Sequence, residues 1–360
     1  MRRPRLKAPA FLPVAYYHCV SRVVNREFVF GEQEKDKLVE YMRLYERFGG
    51  LRVISYCIMS NHFHILVEVP QRPDAAALPN DAGLVAKVRS CLGDKPANEL
   101  AWQLELHRKQ ENTSAAEELR EKWFCRMWDV SAFMKVLKQR FSQWFNGRHA
   151  RRGTLWEDRF RSVLVEGKGQ ALQAMAAYID LNPVRAKICD DPKDYRWCGY
   201  AEAVAGGKEA REAVAFVAAI NPHGGIKPEP SVAQTPKEAL RRWRCHLFGI
   251  PENEIRQKEE SSKGEMAAIY RDRIPREKAL EVLARGGELS QADYLRCKVR
   301  YFSDGAVVGG KAFVEEMFAA FRHRFGPKRK DGARPLRGLQ GDLKSGRLFN
   351  FRQLRTGVFG

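Results

Sequence analysis

The stretch LRVISYCIMSNHFHILVEV, residues 51–69, decides how this chain folds. Residues 51–60 and 62–69 are both rich in β-branched and large apolar side chains and read as two strands. Ser60-Asn61 between them suits a tight turn, which makes the pair a hairpin. Side chains alternate faces along a strand, so Phe63, Ile65 and Val67 share one side of the second run. His62 and His64 share the other, about 7 Å apart along the backbone.

Working outward, residues 34–48 (EKDKLVEYMRLYERF) repeat apolar positions at helical period and end at Gly49-Gly50. Before them, residues 14–24 (VAYYHCVSRVV) read as a strand. Downstream, residues 130–145 form an amphipathic helix, 161–166 a short strand, and 169–181 (GQALQAMAAYIDL) a helix rich in good helix formers. Pro183 disfavours helical geometry at Asn182, so that helix is expected to stop there. The order βαββαβ plus a final helix predicts an α+β fold, a ferredoxin-like split sandwich with an antiparallel sheet. Residues 74–128 read as a helical insertion. The expected division is a domain over 10–200, a linker over 201–236, and a mainly helical, basic C-terminal extension over 237–360. Residues 221–236 (NPHGGIKPEPSVAQTP) hold four prolines and two glycines, the composition of a linker. In the extension, 237–248, 275–285, 289–298 and 310–324 read as helices and 299–302 carries a strand signal.

Composition narrows the partner. The chain has 360 residues, with 63 Lys plus Arg against 44 Asp plus Glu, a net charge of +19. Residues 322–360 alone carry eleven Lys or Arg against two Asp. A polyanion is implied, nucleic acid ahead of a membrane surface. A hydrophobic content of 44% suits a packed core rather than a disordered basic tail. No apolar run reaches the roughly 18 residues that a membrane helix needs. Met1-Arg2-Arg3-Pro4 lacks the apolar stretch of a signal peptide. The eight cysteines include no Cys-x-x-Cys pair, which points to reduced thiols rather than a zinc ribbon. The expected location is the cytoplasm, in association with the nucleoid, and no membrane partner is expected.

Two places carry chemistry. His62 and His64 have the spacing for two neutral imidazoles on one divalent ion, and equally for a hydrogen-bonded pair on a half-buried strand. Tyr178 and Asn182 are i,i+4 neighbours at the end of the helix 169–181, so one turn presents a phenol and an amide together. A packing tyrosine near a helix end is the competing reading. Asp180 and Glu68 are nearby carboxylates with no assigned role.

Together these segments resemble a known family. His62-Phe63-His64 matches the HUH motif of single-tyrosine transposases, and Tyr178-Ile179-Asp180-Leu181-Asn182-Pro183-Val184-Arg185 resembles their nucleophile helix. Tyr17-His18-Cys19-Val20-Ser21-Arg22 and Gly153-Thr154-Leu155-Trp156-Glu157-Asp158-Arg159-Phe160 occupy the places expected of that family. Residues 297–310 are similar to an extension in its REP-associated branch, which acts on repetitive extragenic palindromes. The resemblance covers about residues 10–200. It implies a DNA transposase or endonuclease in which Tyr178 is the nucleophile and leaves a 5′-phosphotyrosine. It further implies His62, His64 and Asn182 as ligands of one Mg²⁺ or Mn²⁺ acting as Lewis acid and template. The implied substrate is single-stranded or hairpin DNA, and the protein a monomer or homodimer.

Residues 139–161 hold six arginines against two acids, interleaved with aromatics, a composition suited to phosphates and unpaired bases. Arg148, Arg151, Arg152, Arg159 and Arg161 are the candidate DNA contacts, while Phe141 and Phe145 are expected in the core. Lys328, Arg329 and Lys330 either clamp a hairpin stem or form a solvated run. Two other classes compete. A domesticated DNA-binding protein has no need of all four of His62, His64, Tyr178 and Asn182. A His-x-His amidohydrolase needs further histidines on a long βα pattern that the sequence lacks.

Overall fold

The computed structural model describes residues 5–220, 235–249, 276–304, 306–340, 347–352 and 357–358. Four strands are laid down around the stretch that opened the sequence: β1 (Val14–Arg22), β2 (Arg52–Ile58), β3 (His62–Pro70) and β4 (Arg161–Val165). The Met59 amide donates to the His62 carbonyl at 2.8 Å, closing a two-residue turn at Ser60-Asn61 as expected. The strands are ordered β2-β3-β1-β4, and β1 runs antiparallel to β4 from Tyr16 opposite Val165 to Val20 opposite Arg161. This is the order of a ferredoxin-like sheet, so the α+β reading holds.

The chain divides into two compact units. Phe30–Arg52 and Glu68–Leu155 form one, and Met1–Val29, Val53–Val67 and Trp156–Gly360 form the other. The first is helical: α1 (Glu32–Gly49), α2 (Asp81–Leu92), α3 (Asp94–Lys109), α4 (Thr113–Phe124) and α5 (Val130–Arg148). Residues 74–128 thus supply three helices, with Phe48 of α1 joining Leu84, Val88, Leu100, Leu104 and Phe124 in one core. Helix starts are set locally. Asn80, Asn112 and Asp129 each accept from backbone amides of the first turn that has no intrahelical partner. Phe141 and Phe145 are buried, as expected, and Phe30 meets Phe141 edge-on at 5.3 Å.

In the second unit, α6 (Gln170–Asp180) is buried at every position from Ala171 to Asp180. A helix buried on every face, here with Gln173 and Asp180 among its buried residues, needs covering on all sides. Contacts come from β4, from α9 (Lys208–Ala218) and from α12 (Gln291–Arg296). Helix α6 ends before Leu181, and a separate turn, α7 (Asn182–Arg185), starts with Pro183 inside it. Residues 201–218, expected to begin the linker, instead lie in α8 (Gly199–Ala205) and α9. Residues 221–234 of that expected linker lie outside the described residues.

The extension contributes α10 (Pro236–Phe248), α11 (Arg276–Ala284), α12, α13 (Arg300–Asp304) and α14 (Lys311–Ala320). It also adds three short strands, β5 (Val307–Gly309), β6 (Arg334–Pro335) and β7 (Phe349–Asn350). Two expectations are corrected here. Of the strand signal at 299–302, residues 300–302 belong to helix α13, where Tyr301 and Phe302 are fully buried, so tertiary burial overrides their β propensity, while Val299 before it is a single bridge residue. The sheet is also not wholly antiparallel. Val307 and Val308 pair in parallel with Leu164 and Val165, and the sheet continues β4-β5-β7-β6. Among the described residues, no helix is long and apolar enough to cross a membrane.

Candidate active site

Strand β3 turns His62 and His64 to one face, and the neighbouring strand β1 brings a third histidine, His18, beside them. His18 Nε2 lies 2.8 Å from His64 Nδ1, with the rings stacked 5.0 Å apart. His62 and His64 are nearly perpendicular, centroids 5.2 Å apart. From α6, Tyr178 presents its ring 6.3 Å from both His18 and His64. The structure therefore unites three of the four residues singled out in the strand and helix motifs, and adds His18. His18 is fully buried, His64 is 5% exposed and Tyr178 2%.

The surroundings are supplied by α7 and the extension. The Arg185 guanidinium carbon stands 3.9 Å over the Tyr178 ring centroid, and its Nη1 donates to the Leu295 carbonyl at 3.0 Å. The Phe302 ring meets Tyr178 at 5.0 Å, and its carbonyl lies 2.8 Å from His18 Nδ1. On the other side, His62 Nδ1 is 2.6 Å from Asn61 Oδ1, and Asn61 Nδ2 donates to the Arg26 carbonyl at 2.9 Å.

Electrostatics keep the imidazoles neutral. Burial lowers the His18 pKa to about 4 against the favourable hydrogen bond that His18 donates to the Phe302 carbonyl. Burial, then Arg22, Lys298 and Arg185, lower that of His62 to about 3. His64 is held well below its ordinary value by burial and by its two histidine neighbours. Neutral imidazoles keep a lone pair for a metal or a proton. Burial raises the Tyr178 pKa, and the positive charge of Arg185 opposes that rise.

Among the described residues, no group of three His, Cys, Asp or Glu is arranged to hold a metal ion. The donor set expected from sequence is different, two imidazoles and an amide. Asn182 is buried, and its Nδ2 has no hydrogen-bond partner. An amide's two ends are isosteric, so a flip would aim the oxygen instead at no packing cost. Two neutral imidazoles on one strand face and a buried amide with an unpartnered end suit a borderline divalent cation.

The two spare carboxylates are engaged elsewhere. Asp180 accepts from Ser55 Oγ at 2.8 Å and from Trp243 Nε1 at 2.9 Å, tying α10 to α6, and burial raises its pKa to about 7. Glu68 pairs with Arg52.

The candidate DNA contacts fall into several settings. Arg148 lies 3.5 Å from Glu34, hydrogen-bonds Gln33 and stands over Trp144. Arg151 is half-buried, while Arg152 and Arg159 are exposed. Arg161 is 71% exposed along its side chain and pairs with Asp304 at 2.9 Å. Lys328 and Lys330 are exposed. Arg329 instead turns inward among Phe318, Phe325 and Phe351 and donates to the carbonyls of Asp331, Gly332 and Phe351. Trp156 and Phe160 are buried rather than open to bases, against Phe63 and Arg5 respectively.

Sequence reasoning missed His18, Arg185 and Phe302 as members of the cluster. His18 and Arg185 both sit inside motifs already singled out, and the signal available was their polarity within otherwise apolar segments. Phe302 had none.

Comparison with known proteins bears on one part of this site. Residues 12–79 match the family model described as "Transposase IS200 like". That span contains His18, His62 and His64, while Tyr178 and Asn182 lie beyond it. No curated protein matches the chain. A solved structure described as "Structure of the REP associates tyrosine transposase bound to a REP hairpin" is similar at 12% identity and a TM-score of 0.34, covering 57% of this chain and 86% of that one. The N-terminal region of the chain is thus similar to IS200-like transposases over its first three strands.

Proposed function

We propose that this protein cuts and rejoins single-stranded or hairpin DNA through a covalent 5′-phosphotyrosine on Tyr178. The observation that supports this reading is the cluster of buried His18, His64 and Tyr178 with half-buried His62, and Arg185 over the phenol ring. A divalent cation, Mg²⁺ or Mn²⁺, held by His62, His64 and Asn182, supplies Lewis acidity and a template for the scissile phosphate. Tyr178 Oη attacks phosphorus in line and loses its proton. The bond from phosphorus to the 3′ oxygen breaks, and that oxygen takes up a proton and leaves as a hydroxyl. Arg185 favours the phenolate, which both the attack and its reversal need. A 3′-hydroxyl of another strand then displaces Tyr178, and because the phosphodiester energy is kept in the covalent link, joining needs no ATP. Arg148, Arg151, Arg152, Arg159, Arg161, Lys328 and Lys330 are the residues assigned to phosphate contacts. Within this class, the similarity of residues 297–310 to the REP-associated branch favours chromosomal hairpins of the palindromic repeat kind.

One observation favours a second reading, a DNA-binding protein that does not cut: Tyr178 is 2% exposed and lies under Phe302. A labelled hairpin oligonucleotide incubated with the protein and Mn²⁺ separates the two on a denaturing gel. The expected result is a nick with protein attached to the 5′ side. Tyr178→Phe is expected to abolish attachment and retain hairpin binding in a gel shift. Binding without attachment by the parent protein would favour the second reading, and a Tyr178→Phe variant that cuts as well as the parent would sink the first.

A further inference from the structure

The hydrogen bonds of the histidine cluster leave no freedom in where the protons sit. The Phe302 carbonyl, 2.8 Å from His18 Nδ1, can only accept, so His18 Nδ1 carries a proton. A neutral imidazole has one N–H, so His18 Nε2 is an acceptor. The proton in its 2.8 Å contact with His64 therefore belongs to His64 Nδ1, and the lone pair of His64 is left on Nε2. His62 reaches the same state by a separate route. Asn61 Nδ2 donates to the Arg26 carbonyl, which turns Oδ1 toward His62, and His62 Nδ1 must donate to it. The Arg26 carbonyl is itself held in an uncommon backbone geometry, with Asn25 and Arg26 at φ of 55° and 60°. Two relays, each ending on a backbone carbonyl, thus set the same tautomer in both histidines.

We propose that His18 and Asn61 are positioning residues that fix His64 and His62 as Nδ1–H tautomers, presenting both Nε2 lone pairs to one divalent cation. The carbonyl of Phe302 makes the C-terminal extension a working part of the site, because it orders the first relay across 284 positions of sequence. This deepens the function proposed above and rests on that reading only for what the histidines bind. Partners of this kind commonly orient metal-ligating histidines, and losing one costs about 10- to 100-fold in metal affinity.

The test begins with the parent protein, free of metal and DNA and labelled with ¹⁵N-histidine. Long-range proton–nitrogen correlation spectra distinguish a protonated from an unprotonated ring nitrogen. The expected result is Nδ1–H in both His62 and His64, and Nε2–H in either overturns its relay. Calorimetric titration with Mn²⁺ then compares two substitutions. His18→Phe keeps the ring and loses the order of donor and acceptor, and is expected to bind Mn²⁺ about 10- to 100-fold more weakly. His18→Gln loses the ring but accepts from His64 and donates to Phe302, and is expected to stay within a few-fold of the parent. A packing role for His18 would reverse that ranking and overturn the proposal. Neither arm reads DNA cleavage, so failure to nick DNA would sink the proposed reaction and leave the relays standing.

Discussion

In helices α2, α3 and α4 of the helical unit the buried positions are all apolar, whereas in the unit that carries the sheet, polar groups are drawn inside beside Tyr178. Asp81 of the helical unit meets Arg108, Glu117 meets Arg108, and Glu121 meets Arg72, and each of these pairs has at least one exposed partner. Exposed pairs of this kind contribute about 0–1 kcal/mol each and are screened by salt. What holds that unit is the apolar core of Leu84, Val88, Leu100, Leu104 and Phe124. Around Tyr178 the polar groups are buried instead, and each histidine is kept neutral with its proton assigned to a named partner. A buried polar group left without a partner is costly, and each of the three histidines has one, while Asn182 Nδ2 does not. A fold needing nothing from these residues would fill the positions with apolar side chains. The contrast is the physical reason to look for chemistry in the sheet-bearing unit.

Acid tests the contrast most severely. Unfolded histidines protonate near 6.5, whereas His18 and His62 in the folded unit do so at about 4 and about 3. Their stabilising contribution is complete above about pH 6.5 and is lost as pH falls through those values. A displacement as large as that of His18 corresponds to about 3 kcal/mol. Asp180 acts in the opposite sense. Its pKa, raised from 3.8 to about 7, gives a contribution present at low pH and lost as pH rises through 7. With three histidines set against one aspartate, protection of the β1 and β3 amides is expected to weaken between about pH 6.5 and 4.5. Urea unfolding at both pH values, followed by hydrogen exchange, measures it, and unchanged protection would contradict the neutral cluster.

The helical unit is expected to respond to volume rather than to pH. Leu100→Ala removes a core side chain and is expected to cost about 2–5 kcal/mol, read as lost amide protection in α2, α3 and α4. A loss below about 1 kcal/mol would mean that the core collapses around the cavity. The smallest effect is expected at the surface. Arg72→Ala breaks a two-pronged pair with Glu121 in which both distances are 2.7 Å, yet both side chains are open to solvent. Its cost is expected to stay within about 1 kcal/mol and to vanish at high salt, as a denaturant midpoint measured at two ionic strengths will show. A larger, salt-independent loss would place that pair with the buried interactions.

Local pattern made much of this legible. The two-residue period of residues 62–69 placed His62 and His64 on one face, as the structure has them, because strand geometry is a property of the chain alone. The order of strand and helix signals anticipated the sheet order β2-β3-β1-β4 for the same reason, since few topologies satisfy that order. The apolar positions Ala171, Leu172, Met175, Ala176 and Ile179 foretold a helix packed on the sheet and carrying Tyr178, though not that Gln173 and Asp180 would be buried with it. Charge composition pointed to a polyanion but misjudged single residues, as Arg329 shows by turning inward onto three phenylalanines.

What tertiary structure alone decided are the contacts between residues far apart in the chain. His18 meets His64 across 46 positions and Phe302 across 284, and Trp243 reaches Asp180 across 63. Val307 and Val308 become a strand by pairing with the edge of β4, while Phe302, on helix α13, closes over Tyr178. Periodicity in a sequence encodes which way a side chain faces. It carries no record of which strand or helix comes to lie opposite, and in this protein the partners opposite are the ones that set the protons on His18 and His64.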